Sequence, residues 1–328
     1  MNIIEKRVII LVGMPFLAAC AFPRALARAL GSPAVIAALA MSATVLPHAS
    51  AAGQHQSAMD GVARKSLVDA ETAFARMALE QGIRAAFIAN FAADGIVFEP
   101  APAILRETWP ARPAPTDPRA VRLEWEPAQA AVARSGDFGY STGPYTLTDA
   151  AHPGLLRHGV FFSVWRRDAG GPWRVALDIG IATPVAPDFA GLGAAPRPGF
   201  RGRADAAAER TRLLAQESHT FVTDPSGPPA VRYGSLLAPG VRMHRQGRLP
   251  VAPRASVTRD VAARLLRITW RPADARVSSS GDMAVSWGRY RETDRASAVH
   301  EGHYAHLWLR DAAGRWRLAY DITHPDPG

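Results

Sequence analysis

Cysteine is almost missing from this 328-residue chain: Cys20 is the only one, so no disulfide within the chain can brace the fold. Lysine is nearly as scarce. Of 38 basic residues 36 are arginine, and the two lysines are Lys6 and Lys65. The arginines are scattered among acids, with no basic block and no aromatic-basic interleaving, so nucleic acid is not an expected partner. No apolar run is long enough for a membrane span; the longest occupy 8–22 and 33–46. Glycine-rich phosphate loops, a Gly-x-Ser-x-Gly elbow and zinc-spaced Cys/His sets are also lacking, and no cofactor or metal is expected. With 48% hydrophobic and 20% charged residues, a disordered, collagen-like or coiled-coil chain is excluded. What remains is a folded protein of two-domain length.

The first 51 residues differ from the rest. Both apolar runs follow basic residues, Lys6 and Arg7 for one, Arg24 and Arg28 for the other. The second ends in Ala49-Ser50-Ala51, the small-x-small pattern of a secretory cleavage site, and polar sequence follows. This predicts an export signal over 1–51 and a periplasmic or secreted protein. Leu17-Ala18-Ala19-Cys20 offers a second reading, a lipoprotein box that would anchor the chain at Cys20. Cleavage after Ala51 reduces the net charge from +9 to +6 and leaves no cysteine.

The remainder is an internal repeat. Trp125-Glu126-Pro127-Ala128 returns as Trp270-Arg271-Pro272-Ala273, Ser135-Gly136-Asp137 as Ser280-Gly281-Asp282, and Gly143 and Tyr145 as Gly288 and Tyr290, all at an offset of 145. After a hairpin shorter by two residues the offset is 143, pairing Gly159, Trp165, Trp173 and Asp178 with Gly302, Trp308, Trp316 and Asp321. Two copies of one domain are expected at 60–183 and 204–328, joined by a Pro/Gly-rich linker at 184–203.

In the first copy Leu67, Ala70, Phe74 and Met77 recur at helical spacing up to Gly82, and Ile83, Phe87 and Phe91 continue beyond it. A short strand at 96–99 stops at Pro100. Four alternating segments follow at about 123–133, 138–147, 158–167 and 172–180, with Ser135-Gly136-Asp137 and 168–171 as hairpin turns. Helices before an antiparallel meander predict an α+β fold: two cone-shaped domains, each with helices packed on a curved sheet.

That order, with the stretches SGDFGYSTGPY (135–145) and PWRVALDIG (172–180), resembles the SnoaL-like and ketosteroid-isomerase-like members of the nuclear-transport-factor-2-like superfamily. The resemblance implies an apolar pocket inside the cone and dimerisation through the outer sheet face, so a tandem would form an intramolecular pseudo-dimer. In ketosteroid isomerases the general base is an acid directly before a proline, 17 residues after a helix-ending glycine; Gly82 and Glu99-Pro100 match that spacing. The isomerase's oxyanion-donating tyrosine would fall near Ala75, beside Phe74, and neither side chain donates a hydrogen bond. In the second copy His244, followed by Arg245, aligns with Glu99.

Phe74, Phe87, Trp109, Tyr140 and Tyr145 are the expected pocket wall. Asp178 and Asp321 share one point of the last strand. Because Trp173, Val175, Leu177 and Ile179 alternate with Arg174, Ala176 and Asp178, the apolar row is expected to face the helices and Asp178 the outside. His300, His303 and His306 are spaced along a strand too widely for common metal ligation. The expected function is non-catalytic binding of a small apolar molecule in the first copy; the alternatives are an isomerase or lyase using Glu99 as base and a pseudo-dimer without ligand.

Overall fold

The computed structural model describes residues 51–222 and 233–327. Residues 1–50 of the expected signal, Cys20 among them, lie outside these residues. Among the described residues no helix is long and apolar enough to cross a membrane.

Helix α1 (Ala51–Gln81) buries Leu67, Glu71, Phe74 and Ala78, a stripe spaced four, three and four residues apart. Gly82 ends it with φ 88°, where a side chain would be strained and its Cβ would stand 2.5 Å from Pro118 O. Helix α2 (Ile83–Asn90) turns the chain into β1 (Phe91–Phe98). Then come β2 (Pro102–Ile104), the short α3 (Leu105–Thr108), β3 (Val121–Trp125), β4 (Gln129–Val132), β5 (Phe138–Asp149), β6 (Arg157–Arg166) and β7 (Arg174–Thr183). The sheet runs β2-β1-β7-β6-β5-β3, with β4 beside β3 on β5 and only the β1–β7 pair parallel.

The second domain repeats the plan with α4 (Ala206–Glu217), β8 (Thr220–Val222), α5 (Tyr233–Leu236), β9 (Leu237–Arg245), α6 (Arg254–Arg264), β10 (Leu265–Val277), β11 (Met283–Asp294), β12 (Val299–Arg310) and β13 (Trp316–Pro325). Its order is β8-β10-β11-β12-β13-β9, again with one parallel pair, β13–β9. The molecule is α+β, with helices packed on two curved, largely antiparallel sheets.

A bulge decides which side chains face which way. Trp165 pairs with Val175 but Val164 with Leu177, so Ala176 is an extra residue on β7. The second copy repeats this at Ala319, between the Leu307–Tyr320 and Trp308–Leu318 pairs. A bulge advances the two-residue alternation by one. Val175 therefore packs among the helix-side residues with Phe74 and Trp165, while Leu177, Ile179 and Ile181 join a cluster with the second sheet. The expected orientation of Asp178 is thereby reversed: it faces the inside of the cone.

That shared cluster packs Phe98, Tyr140, Phe162 and Leu177 of one sheet with Val285, Leu307, Tyr320 and Ile322 of the other. Polar contacts frame it. Ser135 Oγ lies 2.9 Å from Ser280 Oγ, Arg134 N donates to Asp282 at 3.0 Å, and Ser279 donates to Asp137 from both N and Oγ. The 184–203 segment is held to both sheets: Gly193 O accepts from Gln129 Nε2 at 2.7 Å, and Ala194 O from Arg242 at 2.9 Å.

Candidate functional site

Inside the first cone, Phe74 of α1, Ile83 and Phe87 of α2, Trp109 and the strand residues Val97, Leu123, Trp125, Tyr145, Leu147 and Phe161 enclose a cavity of about 70 Å³. Aromatic rings brace one another around it. Phe87 stacks on Trp109 at 5.0 Å, and Phe74 meets both Phe87 and Trp125 edge-on at 4.9 Å. Tyr145 has room because Gly159 lies opposite; a Cβ there would sit 2.2 Å from its ring.

One ionisable carboxyl joins this apolar wall, that of Asp178 on β7. Ser163 Oγ donates to it at 2.7 Å. What surface Asp178 keeps faces the cavity, and no cation pairs with it among the described residues. Burial pushes its pKa up to about 7; the Ser163 hydrogen bond opposes the rise, and the nearby Glu71 carboxyl adds to it. The Tyr145 hydroxyl is buried without a hydrogen-bond partner, and burial raises its pKa. An uncompensated carboxyl and an unpaired hydroxyl in one apolar cavity can bind a polar head group or exchange a proton with it.

Behind Asp178 lies a closed polar network. Glu71, fully buried on α1, accepts from Trp125 Nε1 at 2.7 Å, Ser141 Oγ at 2.5 Å and Trp165 Nε1 at 2.8 Å. Its pKa is raised by burial against these hydrogen bonds. Sequence reasoning passed over Glu71, although an acid within the Leu67–Phe74 stripe, returning as Glu217, was a readable signal.

Phe74, Phe87, Trp109 and Tyr145, expected in the pocket, come together here. Tyr140 stands elsewhere. It lies five residues from Tyr145 on the same strand, hence on the opposite face. There it stacks near Phe162 and Tyr320, and its hydroxyl donates to Pro196 O at 2.8 Å. Glu99 sits just past β1 and takes Trp109 Nε1 at 2.9 Å and Arg112 Nη1 and Nη2 at 3.1 and 2.5 Å. It holds the back of a cavity-wall tryptophan, and its own carboxylate is engaged by a guanidinium.

The second domain keeps the skeleton and changes the site. Glu217 takes Ser286 at 2.6 Å and Trp308 at 2.8 Å, as Glu71 takes Ser141 and Trp165. Asp321 matches Asp178, but Arg245 grips it at 2.8 and 2.9 Å, and Tyr233 donates to it. Burial raises the Asp321 pKa, but Arg245 and His306 outweigh it and hold the carboxyl far below the usual range. The strand register also corrects the sequence alignment. Val97 pairs with Asp178 and Met243 with Asp321, so the counterpart of Glu99 is Arg245, not His244. His244 points to the sheet-sheet side, 5.7 Å from Tyr320.

Of the three spaced histidines, His306 is buried between Glu217 and Asp321, whereas His300 and His303 pair with Asp294 and Asp326. Among the described residues no three His, Cys, Asp or Glu side chains are arranged to hold a metal ion.

No family model matches the sequence, and no curated protein is significantly similar to it. Solved structures of the nuclear-transport-factor-2-like and ketosteroid-isomerase-like types are similar over single stretches. A protein of unknown function with a cystatin-like fold from Nostoc punctiforme is 18% identical, covering 40% of this chain and 96% of its own, with a TM-score of 0.30. A ketosteroid isomerase-like protein from Erwinia carotovora atroseptica is 19% identical over 35% of this chain and 92% of its own, with a TM-score of 0.27. An NTF2-like protein of unknown function from Pseudomonas putida is 14% identical over 42% of this chain and 89% of its own, also at 0.27.

Proposed function

We propose that the first domain binds a small, mostly apolar molecule whose polar head meets Asp178. The observation that carries this reading is a carboxyl without a countercharge in an aromatic cavity. Leaving such a group uncompensated lowers stability, and a ligand head group that hydrogen-bonds it recovers part of that loss. At about 70 Å³ the cavity is smaller than one that holds benzene, about 150 Å³, so a larger ligand requires its wall to move.

Gly180 provides the test. A Cβ there makes only ordinary contact, 3.6 Å from the Tyr145 ring, so Gly180→Val fills the cavity with little disturbance of the strand. Titration with an environment-sensitive apolar dye is expected to saturate in the wild type and to weaken at least tenfold in Gly180→Val. Equal affinity in the two proteins refutes the assignment.

A second reading, an isomerase or lyase, is favoured by the same carboxyl. With a pKa of about 7, Asp178 is poised to take and return a proton near neutrality, and the Tyr145 hydroxyl is available to polarise an oxygen. Glu99 then serves as the positioning residue for Trp109. Turnover that survives Asp178→Asn refutes this role, once a substrate is known.

Ser135 touches Ser280, its own repeat mate, while Arg134→Asp282 and Ser279→Asp137 are a reciprocal pair of contacts. Self-matching and reciprocal contacts are the pattern of a two-fold interface, which supports an intramolecular pseudo-dimer of domains at 60–183 and 204–328. Export to the periplasm or medium, with cleavage after Ala51, is checked by N-terminal sequencing of the exported chain.

A further inference from the structure

At the second domain's counterpart of the cavity mouth the wall changes character. The position matching Leu147 is Glu292, that matching Gly180 is Thr323, and Arg245 replaces Glu99. These residues line a cleft of about 440 Å³ together with Arg248, Arg264 and Arg295. Its volume is within the range of small-molecule sites, about 300 to 1,000 Å³.

The charges on its walls are not paired one to one. Arg295 is docked beside the end of α6, its N donating to Arg264 O at 3.0 Å and its Nε to Ala262 O at 2.7 Å. Asp260 takes Arg248 Nη2 at 2.6 Å and Arg264 Nη2 at 2.5 Å, one carboxylate for two guanidinium groups. Among the described residues, Arg264 Nη1 and both terminal nitrogens of Arg295 have no protein acceptor. This wall thus carries two positive charges beyond what Asp260 balances.

Across from it stands Glu292, 7% exposed, whose Oε1 is buried without a hydrogen bond. Its nearest cation is Arg245 Nη2 at 3.6 Å, and that group is already given to Asp321. The other acid of the cleft, Asp294, is occupied by His300 Nε2 at 3.0 Å and by the N–H groups of Ala296 and Ala298. The protein therefore leaves unmet the guanidinium fork of Arg295 and the Nη1 of Arg264, which fit a carboxylate, and one carboxylate oxygen, which fits a hydroxyl donor.

We propose that this cleft is a second binding site, taking a small hydroxycarboxylate with its carboxylate against Arg264 and Arg295 and its hydroxyl donating to Glu292. The site is separate from the first-domain cavity and does not depend on it.

Calorimetric titration of the whole chain with L-malate, succinate and L-malamide tests it. Malate is expected to bind saturably, at least tenfold tighter than the uncharged malamide. Arg295→Gln, an exposed change, and Arg264→Gln are each expected to weaken malate about tenfold. Glu292→Leu, which installs the residue found at position 147, is expected to keep carboxylate binding and abolish the preference for malate over succinate. Gly180→Val is expected to leave malate binding intact, which separates this site from the first. Absence of saturable heat with both acids, malamide binding as tightly as malate, or unchanged malate affinity in Arg295→Gln overturns the proposal.

Discussion

Replacing Asp178 by asparagine removes the charge and keeps the shape, because the amide oxygen still accepts from Ser163. In the folded protein burial raises the carboxyl from 3.8 to about 7. Between these values the unfolded chain has released the proton and the folded chain holds it, so the wild type loses stability as pH rises through the window. The slope for one proton is about 1.36 kcal/mol per pH unit, which over the full window sums to about 4 kcal/mol. This is a ceiling, since the carboxyl keeps some surface toward the cavity. Asp178→Asn is expected to match the wild type in relative stability near pH 4, to gain on it by about 2 to 3 kcal/mol between pH 5 and 7, and to gain nothing more above pH 8. Urea unfolding followed by tryptophan fluorescence at pH 5, 6, 7 and 8 measures the difference. Taking the difference between the two proteins cancels groups that do not interact with Asp178, whereas Glu71, which is also raised by burial and adds to the rise at Asp178, cancels only in part. A gap constant with pH would show that Asp178 is solvated like a surface acid, and the argument for an uncompensated site would fall with it.

The other substitutions follow the same energetics. Asp321→Asn, at the matched position, is expected to have the opposite sign and to lose about 3 kcal/mol at pH 7, because the buried Arg245 loses its two-point carboxylate partner and keeps only Glu292 at 3.6 Å; an unchanged urea midpoint contradicts this. Glu71→Ala strands the Trp125, Trp165 and Ser141 donors and is expected to lower stability by about 3 kcal/mol or more, read from the same unfolding curves. A protease site placed near Gly191 and cleaved is expected to leave two fragments that co-elute on size exclusion, since the sheets share one apolar cluster; separation of the fragments refutes the pseudo-dimer.

The order of elements was legible because helical and strand periods are local properties, and the repeat could be read because the matched glycines and tryptophans lie at places the fold constrains. The facing of β7 was not. Alternation through Trp173, Val175, Leu177 and Ile179 reads as one apolar row, yet the bulge at Ala176 sends the two halves of that row to opposite faces. A bulge is a property of two paired strands, and one strand's sequence does not carry it. Asp178 was therefore assigned to the outside. Tyr140 is a different case, because its distance of five residues from Tyr145 already placed the two rings on opposite faces. His244 was matched to Glu99 through a constant offset, whereas the strand pairings move the match by one residue to Arg245.

The two copies provide their own comparison. Both keep a buried glutamate that gathers a serine hydroxyl and a tryptophan N–H, Glu71 with Ser141 and Trp165, Glu217 with Ser286 and Trp308. That network is saturated in each domain, as expected of a group that holds the helix on the sheet. The aspartate is kept in both as well, but its surroundings are not. Where the second domain supplies Arg245, Tyr233 and His306, the first has Glu99 turned to Arg112, no counterpart of the tyrosine at the carboxyl, and Ser163. The fold thus accommodates a stabilising partner at this point, and the first domain lacks one. A carboxyl left without an available stabilising partner beside a cavity is the mark of a functional position, and in the proposed binding role Asp178, rather than the proline-flanked Glu99, is the group that a ligand would meet.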